Sequence, residues 1–142
     1  MTRADWQQIA EERLFAAQAL LAAKLWASAY YIGGYAVESG LKSCILVRIA
    51  ASPEVLFQKG GDKFSAHCWT HSIENLVNLA GIKADLDRDM KTNGVLGKNW
   101  LIVTKWNASS RYQPKTQAEA TELYDAIADN WHGVMQWIRV RW

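Results

Sequence analysis

The sequence predicts an all-α fold, an antiparallel up-and-down bundle of about four long helices plus one short helix. Three observations lead there. Apolar residues recur at steps of three and four through nearly every long segment, the spacing of a helix face. No stretch alternates apolar and polar residues as a half-buried strand would. Short polar connections join neighbouring periodic segments, as antiparallel helices require. A chain of 142 residues favours one domain over 1–142. At that length roughly 68–70% of the unfolded surface can be buried, so no disulfide or metal is needed to hold a core.

The first helix is predicted to start at Thr2, with Asp5 three residues on in the manner of a capping box. Trp6, Ile9, Leu14, Ala17 and Leu21 give its apolar stripe, which fades near Trp26 and Ser28. The second helix is placed at 29–51 and stops before Pro53, because the residue before proline avoids helical geometry. It is apolar on almost all sides and should therefore be central. Residues 52–69, with Pro53, Gly60 and Gly61, read as a long connection. Thr70 precedes a short helix over 72–80, which Gly81 ends. A fourth helix over 84–106 is weakened, and open to a break, near Gly94 and Gly97. After the turn-rich 107–115, Thr116 with Glu119 caps a last helix predicted to run to the C-terminus.

Composition excludes several classes. Net charge is +2, too small to argue for any partner on its own. The longest uncharged apolar run, 25–37, is shorter than the ~20 residues of a membrane span. Two cysteines, Cys44 and Cys68, form no CxxC, and no leader pattern precedes the first helix, so a cytoplasmic setting with reduced thiols is expected. No phosphate-cradling glycine loop, no nucleophile elbow and no cofactor signature is present. His67, Cys68 and His71 in "HCWTH" offer too few ligands, with Thr70 as a helix cap between them, to predict a metal.

The central segment "YYIGGYAVESGLKSC" poses the main question. Gly33, Gly34 and Gly40 each cost a helix interior about 1 kcal/mol relative to alanine. Close approach of another element is the compensation expected. Tyr31, Tyr35, Glu38, Lys42 and Ile45 fall on one stripe, so an acid and a base sit one turn apart on an apolar rod. The pair is expected to serve either as a buried structural pairing or as part of a polar site.

The run "YYIGGYAVESGLKSCI", followed by "THSIENLVNLAG", a helix ending "WNASSRY" and the last helix "AEATELYDAIADNWHGVMQWI", resembles the HEPN superfamily (higher eukaryotes and prokaryotes nucleotide-binding domain) over about residues 4–140. The resemblance implies a helical bundle, commonly a homodimer, that often accompanies a minimal nucleotidyltransferase in toxin–antitoxin or defence systems. Many members are metal-independent ribonucleases whose signature is an arginine followed a few residues later by a histidine. That signature is absent: positions 60–62, 64–66 and 125–127, upstream of His67, His71 and His132, hold no arginine. Arg111 matches the R-Y pattern of non-nuclease members, without a histidine downstream. The resemblance thus implies a non-catalytic domain binding nucleotide, nucleic acid or a partner protein. The alternatives are a ribonuclease with a non-standard site, such as Arg111 with His71, or a structural adaptor.

Three further features bear on binding. A guanidinium grips phosphate at two points and a tyrosine stacks on a base, so Arg111 and Tyr112 are ligand-binding candidates. Arg111 is also expected to pair with Glu38. With Lys42 and His71 these residues make the predicted ligand site. Residues 90–118 lack any acid, and Lys91, Lys98 and Lys105 recur every seventh residue. On one continuous helix they would line a face suited to a phosphate backbone, making a nucleic-acid-binding line.

Overall fold

The computed structural model describes residues 1–56, 64 and 66–142, and within them seven α-helices and no strand. They are α1 (Arg3–Ala22), α2 (Trp26–Ala51), α3 (Ile73–Ala80), α4 (Lys83–Thr92), α5 (Gly94–Thr104), α6 (Gln117–Ala128) and α7 (Val134–Arg139). Single 3-10 turns occupy Pro53–Leu56 and Ala108–Tyr112. The rest of the predicted connection, 57–63 and 65, lies outside the described residues.

The α1–α2 hairpin is the frame. Thr2 and Asp5 form the reciprocal capping box the sequence predicts. α1 ends in a tight turn where Lys24 takes a left-handed conformation (φ 62°), and α2 starts at Trp26, earlier than expected. The two long helices pack along each other. From Ala29 to Ile45, α2 is buried on nearly every face, with α1, α3, α6 and α7 against it. The core collects Leu14 of α1, Val37 and Leu41 of α2, Leu76 and Val77 of α3, Val103 of α5, Leu123 and Ile127 of α6, and Ile138 of α7. None of the described helices is long and apolar enough to cross a membrane.

Two predicted helices are divided. The fourth breaks at Asn93, which is extended (φ −132°, ψ 91°) and whose side chain accepts from the Leu96 amide, so one residue ends α4 and caps α5. The last breaks after Ala128, where the Asp129 carboxylate accepts from the Trp131 and His132 amides. A side-chain cap outcompetes helix continuation in both places, although the apolar period runs through each. Trp131 is consequently exposed rather than part of the buried stripe.

The glycines divide by neighbour. The Trp106 indole lies directly on Gly34, so a Cβ there would run into the ring. At Gly33 a Cβ would make ordinary contact with Ile127 and Leu123, 3.7–3.8 Å away. The close approach predicted for the segment is therefore centred on Gly34, and an aromatic side chain rather than another backbone fills the space. Gly40 faces Ile138 and Trp142. Trp137 and Trp142 are buried and half-buried. The Trp137 Nε1–H donates to Asp89 at 2.8 Å, Arg141 bonds the same carboxylate oxygen at 2.9 Å, and the Arg141 guanidinium lies 3.9 Å over the Trp137 ring.

Candidate functional site

Glu38 is the centre of the site. It projects from the middle of α2 and is almost fully buried. One carboxylate oxygen accepts from Lys42 Nζ at 2.8 Å, the i, i+4 pair that helix geometry places together. The other lies 3.0 Å from His71 Nδ1. A carboxylate can only accept, so Nδ1 carries the proton and Nε2 is left for another partner. His71 stands just before α3, where Ser72, rather than the expected Thr70, caps the helix by accepting from the Asn75 amide. Its side chain is about half exposed (53%). A buried acid thus holds a surface histidine in one tautomer and orientation.

Aromatic rings wall this pair. Tyr35, one turn before Glu38, packs edge-on against His71 (5.7 Å), Trp106 (5.1 Å) and Tyr31 (4.8 Å). Burial, chiefly, together with Tyr31 and the Glu38 charge, pushes the Tyr35 hydroxyl up to about 12. It therefore keeps its proton at neutral pH. Tyr31 moves the opposite way: its hydroxyl is held below the usual phenol range, chiefly by the Tyr35 donor and then by the Arg111 guanidinium.

A polar cleft of about 410 Å³ opens beside His71. One wall is the start of α3, with Thr70, His71, Ser72 and Glu74. The other is the end of α5 and the turn after it, with Thr104, Lys105, Trp106 and Asn107. Helix N-terminal amides and Lys105 give this cleft donors suited to an anion, with Glu74 as the opposing charge.

The predicted site residues are only partly brought together. Glu38, Lys42 and His71 form one node. Arg111 does not join it directly: Glu38 is paired with Lys42 and His71, while Arg111 lies exposed with its guanidinium 4.7 Å over the Tyr112 ring. The reason is that the 3-10 turn at 108–112 carries Arg111 to the outer end of the tyrosine row. Its guanidinium neighbours Tyr31, whose hydroxyl it helps to hold below the usual phenol range. Tyr112 is exposed beside it.

The lysine line is not formed as predicted. The break at Asn93 puts Lys91 on α4 and leaves only Lys98 and Lys105 on α5 and its C-cap. Lys98 borders a groove shared with Glu122 and Asp125 of α6 and with Asp129 just after it, whose charges offset its own. Lys105, on the cleft, is the lysine placed to meet an anion.

Trp106 was the residue that sequence reasoning missed. It closes α5, packs on Gly34 and lines the cleft. The glycine pair in α2 was the available signal that a large ring must lie there. Among the described residues no cluster of His, Cys, Asp and Glu has metal-site geometry. The chain matches no family model, no curated protein and no solved structure.

Proposed function

We propose that the chain is a HEPN-like helical module that binds a nucleotide or single-stranded RNA through phosphate, in the cleft between α3 and the end of α5. The observation that carries this reading is His71 on the cleft wall, held from behind by Glu38. A buried carboxylate holds Nδ1 of the imidazole, which lines the same cleft as Lys105 and the first residues of α3. Arg111 and Tyr112, on the adjoining turn, would extend the contact along the backbone and to a base. On the same reading the module acts as a homodimer, in the cytoplasm, with a minimal nucleotidyltransferase as partner in a toxin–antitoxin or defence pair.

The test is fluorescence anisotropy with a labelled single-stranded RNA at several salt concentrations. Binding should weaken with salt, and each lost phosphate contact should reduce the slope by about 0.7. Lys105→Ala should lower that slope, and Lys98→Ala should leave it unchanged. Salt-independent binding, or none at low salt, contradicts the reading.

The half-exposed imidazole oriented by a carboxylate favours a second reading, metal-independent phosphodiester cleavage with His71 as proton acceptor and Arg111 as phosphate ligand. RNA incubated with the protein in chelator should then be cut, and His71→Ala should abolish the cut. Intact RNA with the unmodified protein removes this second reading and leaves the first.

A further inference from the structure

Lys42 borders a second cavity, which shares no lining residue with the cleft. It holds about 280 Å³ and lies between the start of α1, the C-terminal half of α2 and the residues before α3. Trp6, Ile45, Leu46, Ile49, Phe64 and Trp69 make its walls. Met1 and Cys68 complete the lining, and among the described residues Lys42 is the one charged side chain there, with only 9% of it exposed. Its ammonium lies 5.0 Å from the Trp6 ring and 5.7 Å from the Trp69 ring.

An ammonium has three donors. Among the described residues only one has an oxygen acceptor, Glu38 Oε1 at 2.8 Å; the indole faces attract the remaining charge without accepting a conventional hydrogen bond. Glu38 cannot give more, because its second oxygen serves His71. Among the described residues the cavity is therefore a mostly apolar space bordered by a nearly buried cation with one oxygen acceptor. Its volume is near the lower end of small-ligand sites, about 300–1,000 Å³. A second cation would be repelled by Lys42. A neutral apolar molecule would leave the ammonium donors unmet at the cost that burial of unpaired polar groups carries.

The geometry points to a binding site for a medium-chain carboxylate, with its carboxylate on Lys42 Nζ and its hydrocarbon against Ile45, Ile49, Phe64 and the two tryptophans. The site is separate from the cleft and does not depend on what the cleft binds.

Calorimetric titration of the full chain with decanoate, decanol and decylammonium, each kept monomeric, tests it. Decanoate should saturate one site. Decanol should bind at least about tenfold more weakly, a factor worth ~1.4 kcal/mol. Decylammonium should give no saturable heat. Ile49→Trp, which fills the cavity, should weaken decanoate by about tenfold or more with the helical content unchanged. Lys42→Met should erase the preference for decanoate over decanol. Equal affinities for decanoate and decanol in the unaltered protein, no saturable decanoate binding, or unchanged binding in Ile49→Trp would each overturn the proposal. The ligand comparison and Ile49→Trp decide the matter even if Lys42→Met does not fold.

Discussion

Glu38 and His71 meet at 3.0 Å although 33 residues separate them in the chain. That contact joins the central helix to the start of α3 and divides one buried carboxylate between two cavities, with Lys42 facing the apolar one and His71 the polar one. Glu38→Gln should leave Lys42 charged and unmatched in the core. A loss of about 3–5 kcal/mol is expected for breaking such a pair from one side. Replacing Glu38 and Lys42 together by leucine and methionine should cost less than the single change. Urea unfolding of the single and double variants measures both.

Gly34→Ala should be the most damaging small substitution in α2. Its methyl group meets the Trp106 ring, and overpacking of this kind costs about 1–3 kcal/mol or more. Gly33→Ala, one residue away, has ordinary contact distances and should be neutral or stabilising by up to about 1 kcal/mol. The pair shares a helix and a propensity change, so any difference in urea midpoint isolates the indole contact.

The Asp89 carboxyl is held below the usual carboxylate range, first by the Trp137 indole donor and then by Arg88 and Arg141. A depressed folded value means that its stabilisation is complete above the unfolded carboxylate pKa of about 4 and is lost as pH falls through the lower folded value. Asp89→Asn should therefore flatten part of the acid limb of the stability curve. Thermal melts between neutral pH and pH 3 would show it; an unaltered acid limb would contradict the assignment.

The tyrosine row gives a spectroscopic test. Tyr35 should ionise at about 12, above Tyr31. Removing its hydroxyl in Tyr35→Phe should raise the Tyr31 ionisation toward the ordinary phenol value of about 10, and Arg111→Ala should do so to a smaller degree. Site-resolved NMR titration distinguishes the two rings.

Much of this was legible in the sequence, where the cause is local. The capping boxes at Thr2 and Thr116 follow from side chains three residues apart, and the Tyr31–Tyr35–Glu38–Lys42 stripe follows from helix period. The Gly33-Gly34 pair announced a close approach. It did not say which glycine mattered or that an indole from 72 residues away would fill the space. The break at Asn93 falls beside the weakness that Gly94 and Gly97 signalled, although its capping side chain was not foreseen, whereas the break at Asp129 was hidden because apolar periodicity continues across it, and periodicity is blind to a side chain that caps its own backbone. The expected Glu38–Arg111 pair failed for a related reason: charge complementarity is visible in a sequence, but the path of a 3-10 turn that carries Arg111 outward is not. His71 was legible as a candidate by its place before a helix, while its partner in α2 was a tertiary fact.

The most direct test of the central claim, that His71, held by Glu38, lines a phosphate-binding cleft, is titration of labelled single-stranded RNA into the unaltered protein and His71→Ala at low salt. The unaltered protein should bind, and His71→Ala should bind at least about fivefold more weakly with its fold intact, a difference of ~1 kcal/mol. Equal affinity in the two proteins, or no binding by either, would contradict the account.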